Sequence, residues 1–273
     1  MKSSHFVFLI FFGREIIMKF PIWALTLVLF LGVVLPIHAI SYSQSVLADN
    51  PLGYWQFEGT STATDSTANA RNGSYNNVSF TTGAFAGSQA AVFNGSSYVQ
   101  LPGSWGGWSE LTIEAWVNVS QTNQDIQAIV SSDSSGAFSH FQLPGNNVTY
   151  TDTGYVNLLN VSQSPTNIWR HLAIVIKSGA SKFYVDGVVV NTSATTFNYI
   201  NSSGNVTIGR GYSNGRYFIG SIDEVAIYNT ALSSDRIQAH ITAATNVPEP
   251  HALIFLALGI LLVVFRIPLK KLS

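Results

Sequence analysis

Two glutamates four residues apart, Glu110 and Glu114 in the stretch ELTIE, are the first candidates for chemistry in this sequence. Paired carboxylates about 5–5.5 Å apart can cleave a glycosidic bond with retention of configuration. Residues four apart on an extended strand lie roughly 13 Å apart, which is too far for that mechanism in the absence of a bulge. The spacing therefore favours a polar strand face, and we do not predict an enzyme.

Aromatic side chains form the second group of candidates, because an aromatic ring packs on the apolar face of a sugar and a carboxylate accepts its hydroxyl protons. The candidate ligand-binding residues are Trp105, Trp108, Glu114, Trp116, Tyr150 and Tyr155. The two tryptophans of the glycine-rich stretch PGSWGGWSE have little room to be buried together. Packing within the loop is the alternative for this pair, and a place in the core is the alternative for Trp116.

Two aspartates are candidates for a cation site. Asp65 lies in the Asp/Asn/Gly-rich stretch TATDSTANARNGS, and Asp223 lies in the stretch GSIDE. With loop carbonyls, their carboxylates would supply the oxygen ligands that Ca²⁺ prefers. The alternative is structural: Asp65 forms an Asx-turn and Asp223 binds backbone at the end of a sheet.

Composition excludes several functional classes. The chain of 273 residues has no cysteine, which rules out thiol catalysis and thiolate metal sites, and it has a net charge of −1. Without a basic field, we predict no nucleic-acid partner. His171 has no evident partner that would make it a general base, so we interpret it as structural.

The elements that must position these residues are strands. From about residue 50 to 230 the hydrophobic pattern has a period of two, as in LTIEAWVNV at 111–119, and residues 170–177 are typical of a central strand. The stretch 181–192 predicts a hairpin that turns at Asp186 and Gly187. One helix is predicted at 232–244, with Ser233 as its N-cap. Many short strands separated by turn residues indicate an all-β sandwich.

Both ends of the chain are hydrophobic. Within residues 1–39, the part from Met18 has the layout of a secretory signal peptide that is cleaved after Ala39, whereas Arg14 and Glu15 interrupt an earlier apolar run. We therefore take Met18 as the true start, and a long signal over the whole of 1–39 is the alternative. A permanent N-terminal membrane helix is the other reading. Near the C-terminus, the uncharged stretch of 14 residues at 252–265 would span roughly 21 Å as a helix, against a hydrocarbon core of about 30 Å. It is therefore a marginal membrane span, suited to temporary anchoring.

Seven segments in a fixed order resemble the LamG-like jelly-roll domains of the concanavalin A-like lectin/glucanase superfamily. They are PLGYWQFEG, AVFNGSSYVQLPG, LTIEAWVNV, NIWRHLAIVI, FYVDGVVV, NVTIGRG and FIGSIDEVAIYNTALSSDRI. The resemblance implies a jelly-roll β-sandwich of two antiparallel sheets over residues 40–245, with hydrophobic helices outside it. Laminarinase-type enzymes of the superfamily carry Glu-x-Asp-x-(x)-Glu on one strand. Here Thr112 replaces the aspartate, so the motif is incomplete.

The C-terminal segment, 246–273, is similar to the PEP-CTERM sorting signals of exported bacterial proteins. The resemblance rests on Pro248, Glu249 and Pro250, on the apolar run, and on the basic residues that begin at Arg266. The family usually shows a tight arginine cluster, whereas here the basic end is sparse and Pro268 interrupts it. The resemblance implies an exosortase-type membrane enzyme as partner and a transient anchor in the membrane through the C-terminal helix.

These observations lead to one principal hypothesis. The chain is exported across the inner membrane, sorted to the cell surface or released outside, and binds a glycan or matrix polymer. The alternative is a structural matrix or biofilm protein without a specific ligand, and a glycoside hydrolase ranks below both.

Overall fold

The structure is a computed structural model. It describes residues 40–121, 126–132, 140–143, 147–152, 156–162, 166–196, 200, 204, 206–211 and 216–245. The predicted signal peptide and the predicted sorting segment, with Pro248, Glu249, Pro250 and Arg266, lie outside the described residues. Among the residues that the structure describes, no helix has the length and apolar character needed to cross a membrane.

Strands dominate the described residues, as predicted. The helices are α1 (Tyr42–Ala48) and α2 (Ser234–Thr245). The strands are β1 (Gly53–Trp55), β2 (Ser74–Asn76), β3 (Ser79–Thr82), β4 (Gln89–Asn94), β5 (Tyr98–Leu101), β6 (Glu110–Val119), β7 (Gln127–Ser132), β8 (His140–Leu143), β9 (Asn147–Asp152), β10 (Val156–Ser162), β11 (Trp169–Lys177), β12 (Ser181–Val185), β13 (Val188–Ser193), β14 (Val206–Ile208) and β15 (Ile219–Tyr228).

The strands form two antiparallel sheets, which confirms the predicted sandwich. One sheet has the order β13-β12-β11-β6-β15-β4-β3, and β1 adds an eighth strand by pairing with β15. The other sheet has seven strands in the order β10-β9-β8-β7-β14-β5-β2. The main core contains side chains from both sheets, such as Ile113 of β6 and Ile208 of β14, so it lies between them.

Strand β6 shows how the period of two divides the two faces of the eight-stranded sheet. Leu111, Ile113, Ala115 and Val117 belong to the main core, as the alternation predicts. Thr112 and Glu114 belong to the opposite face, but both are fully buried. The predicted polar face is therefore covered, and the two helices are what cover it.

Helix α2 and the hairpin β12–β13 follow the prediction closely. The backbone N–H of Arg236 donates to the Ser233 hydroxyl, and Ile237 is fully buried. Asp186 and Gly187 have φ angles of 49° and 80°, as a tight hairpin turn requires.

Helix α1 was not predicted from the sequence. It starts with a capping box, in which the Ser41 hydroxyl accepts from the backbone of Gln44 and the Gln44 side chain accepts from the backbone of Ser41. Tyr42 and Val46 are buried in a second apolar cluster with residues of β1 and β15. Helix α1 therefore packs on the outer face of the eight-stranded sheet.

Candidate functional site

The outer face of the seven-stranded sheet carries a polar row that alternation places opposite the core. On β5, Val99 and Leu101 belong to the main core, so Tyr98 and Gln100 belong to the outer face. Gln100 pairs with Thr207 of β14, which in turn pairs with Ser131 of β7. The row therefore crosses three neighbouring strands, but Thr207 and Ser131 are fully buried, so only its Gln100 end keeps exposed surface.

At one end of this row, two tyrosines and an arginine form a partly exposed group. The Arg210 guanidinium lies 3.8 Å from the centre of the Tyr98 ring. The rings of Tyr98 and Tyr217 have centroids 6.5 Å apart, and an isolated bridge joins Arg210 to Tyr217. All three residues are half-buried, as is Gln100. We call Tyr98, Gln100, Arg210 and Tyr217 the Tyr98 patch.

The chemistry of the Tyr98 patch suits a sugar. Aromatic rings offer apolar faces, and the guanidinium offers hydrogen-bond donors in a fixed position. The Gln100 amide nitrogen already donates to the Leu101 and Val206 carbonyls, so this side chain helps to fix the site rather than to donate to a ligand. The sequence analysis did not identify this patch. The alternation in SSYVQLPG could have placed Tyr98 and Gln100 on one face, but the pairing of Arg210 with Tyr217 depends on a β-bridge that spacing alone does not show.

The two loop tryptophans take different places. Trp105 is fully buried, its ring centroid lies 5.7 Å from that of Trp55, and its indole N–H donates to the Pro102 carbonyl. The Trp105 ring thus offers no face to a ligand in this structure, and the loop-packing alternative describes it. Trp108 is half-buried against the core, and its backbone carbonyl accepts from the backbone N–H of Ile200.

Glu114 is the centre of a buried polar cluster beneath the helices. Its Oε1 accepts from the Tyr228 hydroxyl at 2.5 Å. Its Oε2 lies 3.1 Å from Nε2 of His171 and 3.0 Å from Nδ1 of His240. The Glu114 side chain has no exposed surface. It therefore cannot reach a sugar in this structure, although the sequence placed it among the ligand-binding residues.

The second nitrogen of His240 extends the cluster to the N-terminal segment. Nε2 of His240 lies 2.9 Å from Oδ2 of Asp49, and the Nε of Arg236 binds both oxygens of the same carboxylate. Because each ring nitrogen of His240 faces a carboxylate oxygen, both donate and the ring is an imidazolium. The cluster thus ties α1, α2 and β6 together.

Opposing effects set the pKa values in this cluster. Burial by itself would raise the pKa of Glu114, but the charge of His240 and the hydrogen bonds from His171 and His240 outweigh it and hold that pKa well below its usual range. Burial would likewise lower the pKa of His240, and the Glu114 and Asp49 carboxylates raise it. The stable arrangement is therefore a charged pair, and Glu114 is not a proton donor.

The other aromatic candidates do not meet at one place. Trp116 is half-buried on the covered face of the eight-stranded sheet, where its ring packs against Tyr42, Phe85 and His171. Tyr150 belongs to β9, and its side chain lies outside the described part of the chain, as does the whole of Tyr155. The interpretation of His171 as structural fits its hydrogen bond to Glu114.

The two aspartates proposed for Ca²⁺ differ in their free oxygens. Asp65 accepts backbone hydrogen bonds from Tyr54, Thr67 and Arg71, with a fourth from the Thr67 hydroxyl. That pattern matches the Asx-turn alternative and occupies both oxygens. Asp223 is fully buried, its Oδ2 accepts from the backbone of Ala84, and its Oδ1 has no hydrogen-bond partner.

Asp223 thus keeps one acceptor that a cation would satisfy, whereas Asp65 does not. Burial raises the pKa of Asp223 to about 7, and the nearby Glu58 carboxylate adds to the rise. Within the described residues, no three His, Asp or Glu side chains are grouped so as to hold a metal ion. The donor set around Asp223 would therefore need backbone carbonyls.

Comparison with known families identifies the family of this chain. Residues 93–238, more than half of the chain, match the family model Laminin_G_3 of the concanavalin A-like lectin/glucanases superfamily. The chain belongs to this family, which confirms the resemblance seen in the sequence. The superfamily contains both binding domains and glycosidases, so membership alone does not assign an activity. No curated protein sequence matches the chain.

Solved structures share the fold at low identity. One is domain 4 of AbnA, a GH43 extracellular arabinanase from Geobacillus stearothermophilus, in complex with arabinotriose. It is 22% identical over 71% of this chain and 98% of that chain, with a TM-score of 0.58. The binding domain of botulinum neurotoxin serotype D/C is 16% identical, and 72% of this chain aligns with 53% of that one at a TM-score of 0.58. The chain thus spans about half the length of that neurotoxin domain, and these likenesses show the fold alone.

Proposed function

We propose that this chain is an exported carbohydrate- or matrix-binding protein of the bacterial cell surface, and that the Tyr98 patch contacts the sugar. The observation that carries the proposal is the half-exposed group of Tyr98, Arg210 and Tyr217 on the polar face of a lectin-like sandwich. We propose no enzymatic activity, because Glu114 is enclosed and engaged by three donors. Nucleic acid is not among the proposed partners.

The placement of the patch follows from where the described residues keep partly exposed aromatic rings together with a cationic side chain. The outer face of the eight-stranded sheet is covered by α1 and α2, so the aromatic and acidic side chains there are enclosed. The Tyr98 patch lies on the other sheet and keeps partly exposed rings. The fold is shared with an arabinanase domain that was solved with a bound oligosaccharide, which supports the class of ligand.

The test is glycan-array binding by the full chain purified in a non-ionic detergent, comparing the native protein with Tyr98→Ala, Tyr217→Ala and Trp108→Ala. Loss of one aromatic ring that stacks on a planar base costs about 1–3 kcal/mol, and the same range for a ring on a sugar face would be roughly a five- to hundred-fold loss of affinity. We expect this loss in both tyrosine variants and little change in Trp108→Ala. Loss of binding in Trp108→Ala alone would instead indicate a site in the tryptophan loop. If the native chain binds no glycan, the proposal is wrong.

A structural role in an extracellular matrix is the second candidate, and one feature favours it. Strand β13 forms an edge of the eight-stranded sheet, and its consecutive residues Val188, Val189 and Val190 are 62%, 39% and 43% exposed. Uncharged apolar edge strands promote association between chains. Sedimentation analysis would decide: self-association that Val189→Lys abolishes, together with a blank glycan array, would favour this role.

Export and sorting are proposed from the sequence. We expect cleavage after Ala39, transient anchoring by residues 252–265, and recognition of Pro248, Glu249 and Pro250 by an exosortase-type enzyme. Replacing Glu249 by Gln and both prolines by Ala would leave the chain in the membrane fraction of a host that has the enzyme. Unchanged release of that variant would contradict the assignment.

A Ca²⁺ ion at Asp223 is also a proposal. It is supported by the unpartnered Oδ1 of that buried carboxylate. Asp65 is not included, because its oxygens already accept four hydrogen bonds.

A further inference from the structure

A cavity lies beside α1 on the eight-stranded sheet, the sheet that does not carry the Tyr98 patch. Its volume is about 270 Å³, and its lining includes Tyr42, Gln56, Glu58, Phe85, Ser88 and Glu224. Residues from α1, β15, α2 and the segment 85–88 thus meet around one opening. None of the residues assigned to glycan binding above lines it.

Glu224 is placed in the lining by an unusual backbone. The register between β15 and β6 shifts between Asp223 and Ala226, and Glu224 has a φ of 54°. A non-glycine residue in this left-handed region is strained, and a bulge redirects a side chain. The result is a carboxylate that is 3% exposed, lines the cavity and accepts a hydrogen bond from the Tyr54 hydroxyl.

Among the described residues, the carboxylates in and beside the cavity lack a basic partner. Glu58 is exposed and also lines the cavity, and Asp223 directly precedes Glu224. Within the described part of the chain, none of these three carboxylates forms an ion pair with a basic side chain. Burial raises the pKa of Glu224, and the nearby Asp223 and Glu58 charges raise it further. A cation in the cavity would relieve this repulsion.

The rest of the lining indicates what kind of cation fits. Phe85 contributes an aromatic ring, which attracts an ammonium group. Gln56 and the hydroxyl groups of Ser41, Ser43 and Ser88 can bind the hydroxyl groups of a ligand. The volume is far larger than a single metal ion needs, and apolar side chains form part of the lining.

We propose that this cavity binds a small hydroxylated organic cation, and that its ligand class is an amino sugar with a free ammonium group. The ammonium lies between Glu58 and Glu224 beside the ring of Phe85, and the sugar hydroxyls contact Gln56 and the serines. This site is independent of the Tyr98 patch, so each can fail without the other.

The experiment is a titration of the full chain in detergent with glucosamine, followed by saturation-transfer NMR at neutral pH. The amine is already largely protonated there, whereas acid would neutralise Glu224 and Asp223, whose pKa values are raised. Glucose and N-acetylglucosamine test the need for charge, and putrescine tests the need for hydroxyl groups. We expect saturable binding of glucosamine, with all three comparison ligands at least about five-fold weaker, since one charged hydrogen bond contributes at least that much.

Two variants and one control variant test whether the ligand binds in this cavity. Glu58→Gln keeps an oxygen to accept from the backbone of Gln89 but loses the charge, so we expect at least about five-fold weaker glucosamine binding. Ala243→Phe, on the lining helix, is expected to block the cavity. Glu110→Gln removes a half-buried carboxylate paired with Lys177 and should bind as the native chain does.

Several results would overturn the proposal. They are equal binding of glucose or putrescine, glucosamine binding that both cavity variants retain, or no glucosamine binding at all. Competition of glucosamine by Ca²⁺ through Glu58 would mark a metal site in its place. None of these results depends on whether the glycan array finds a ligand for the Tyr98 patch.

Discussion

Replacing Glu114 by glutamine tests how the buried cluster stabilises the fold. The carboxylate has no exposed surface and accepts from Tyr228, His171 and His240. Glutamine has nearly the same shape but no charge, so the His240 imidazolium loses one of its two carboxylate partners. Breaking a buried ion pair by removing one partner costs about 3–5 kcal/mol. That is a large part of the roughly 5–15 kcal/mol by which domains are stable.

The assay is thermal unfolding of a fragment spanning residues 40–245, followed by tryptophan fluorescence. For a domain of this size, a loss of about 3–5 kcal/mol corresponds to a Tm lower by roughly 6–20 °C. Glu110→Gln is the control, because its ion pair with Lys177 is half-exposed and such pairs contribute about 0–1 kcal/mol. If Glu114→Gln lowered stability no more than the control, the reasoning about the buried charge would be refuted.

Two further predictions concern pH and Ca²⁺. Because the pKa of Glu114 is lowered from 4.5 and that of His240 is raised from 6.5, the cluster stabilises the fold most between these values. The Tm should fall below pH 4.5 and again as the pH rises through the raised pKa of His240, and a Tm that is flat over both ranges would contradict this. Since the pKa of Asp223 is raised from 3.8 to about 7, its ionised form destabilises the fold, so Asp223→Asn in EDTA should raise stability above pH 7 by up to about 4 kcal/mol. Added Ca²⁺ should raise the Tm of the native chain but not that of Asp223→Asn. An equal effect on both proteins would contradict a Ca²⁺ site at Asp223.

The sheets could be predicted from the sequence because alternation and turn chemistry are local signals. The hairpin at Asp186 and Gly187 needs two positive φ angles at adjacent residues, and its sequence satisfies that requirement directly. Helix α2 carries its own cap at Ser233 and a buried Ile237. Helix α1 has only seven residues, and a short helix depends on tertiary packing rather than on its own propensity.

The candidate sites were harder to predict because they depend on which face is covered. Glu114 and Trp116 alternate away from the core as a sugar-binding pair would, but the face they occupy lies under α1 and α2. The ring of Trp105 is fully buried beside Trp55, a contact between distant segments of the chain. Alternation with a period of two identifies the two faces of a strand correctly. It does not show which of those faces the helices of the fold will cover.

The covered face also brings together the two ends of the described domain. Two residues separate Ala39, the predicted cleavage site, from the start of helix α1 at Tyr42, and α2 ends at Thr245, just before the predicted sorting segment. Asp49 at the end of α1 binds Arg236 and His240 of α2, so both ends of the described domain leave from the outer side of the eight-stranded sheet. The two ends of the described domain therefore lie on the side of the fold opposite the seven-stranded sheet that carries the Tyr98 patch, so a substitution in either helix and one in the patch perturb different sheets.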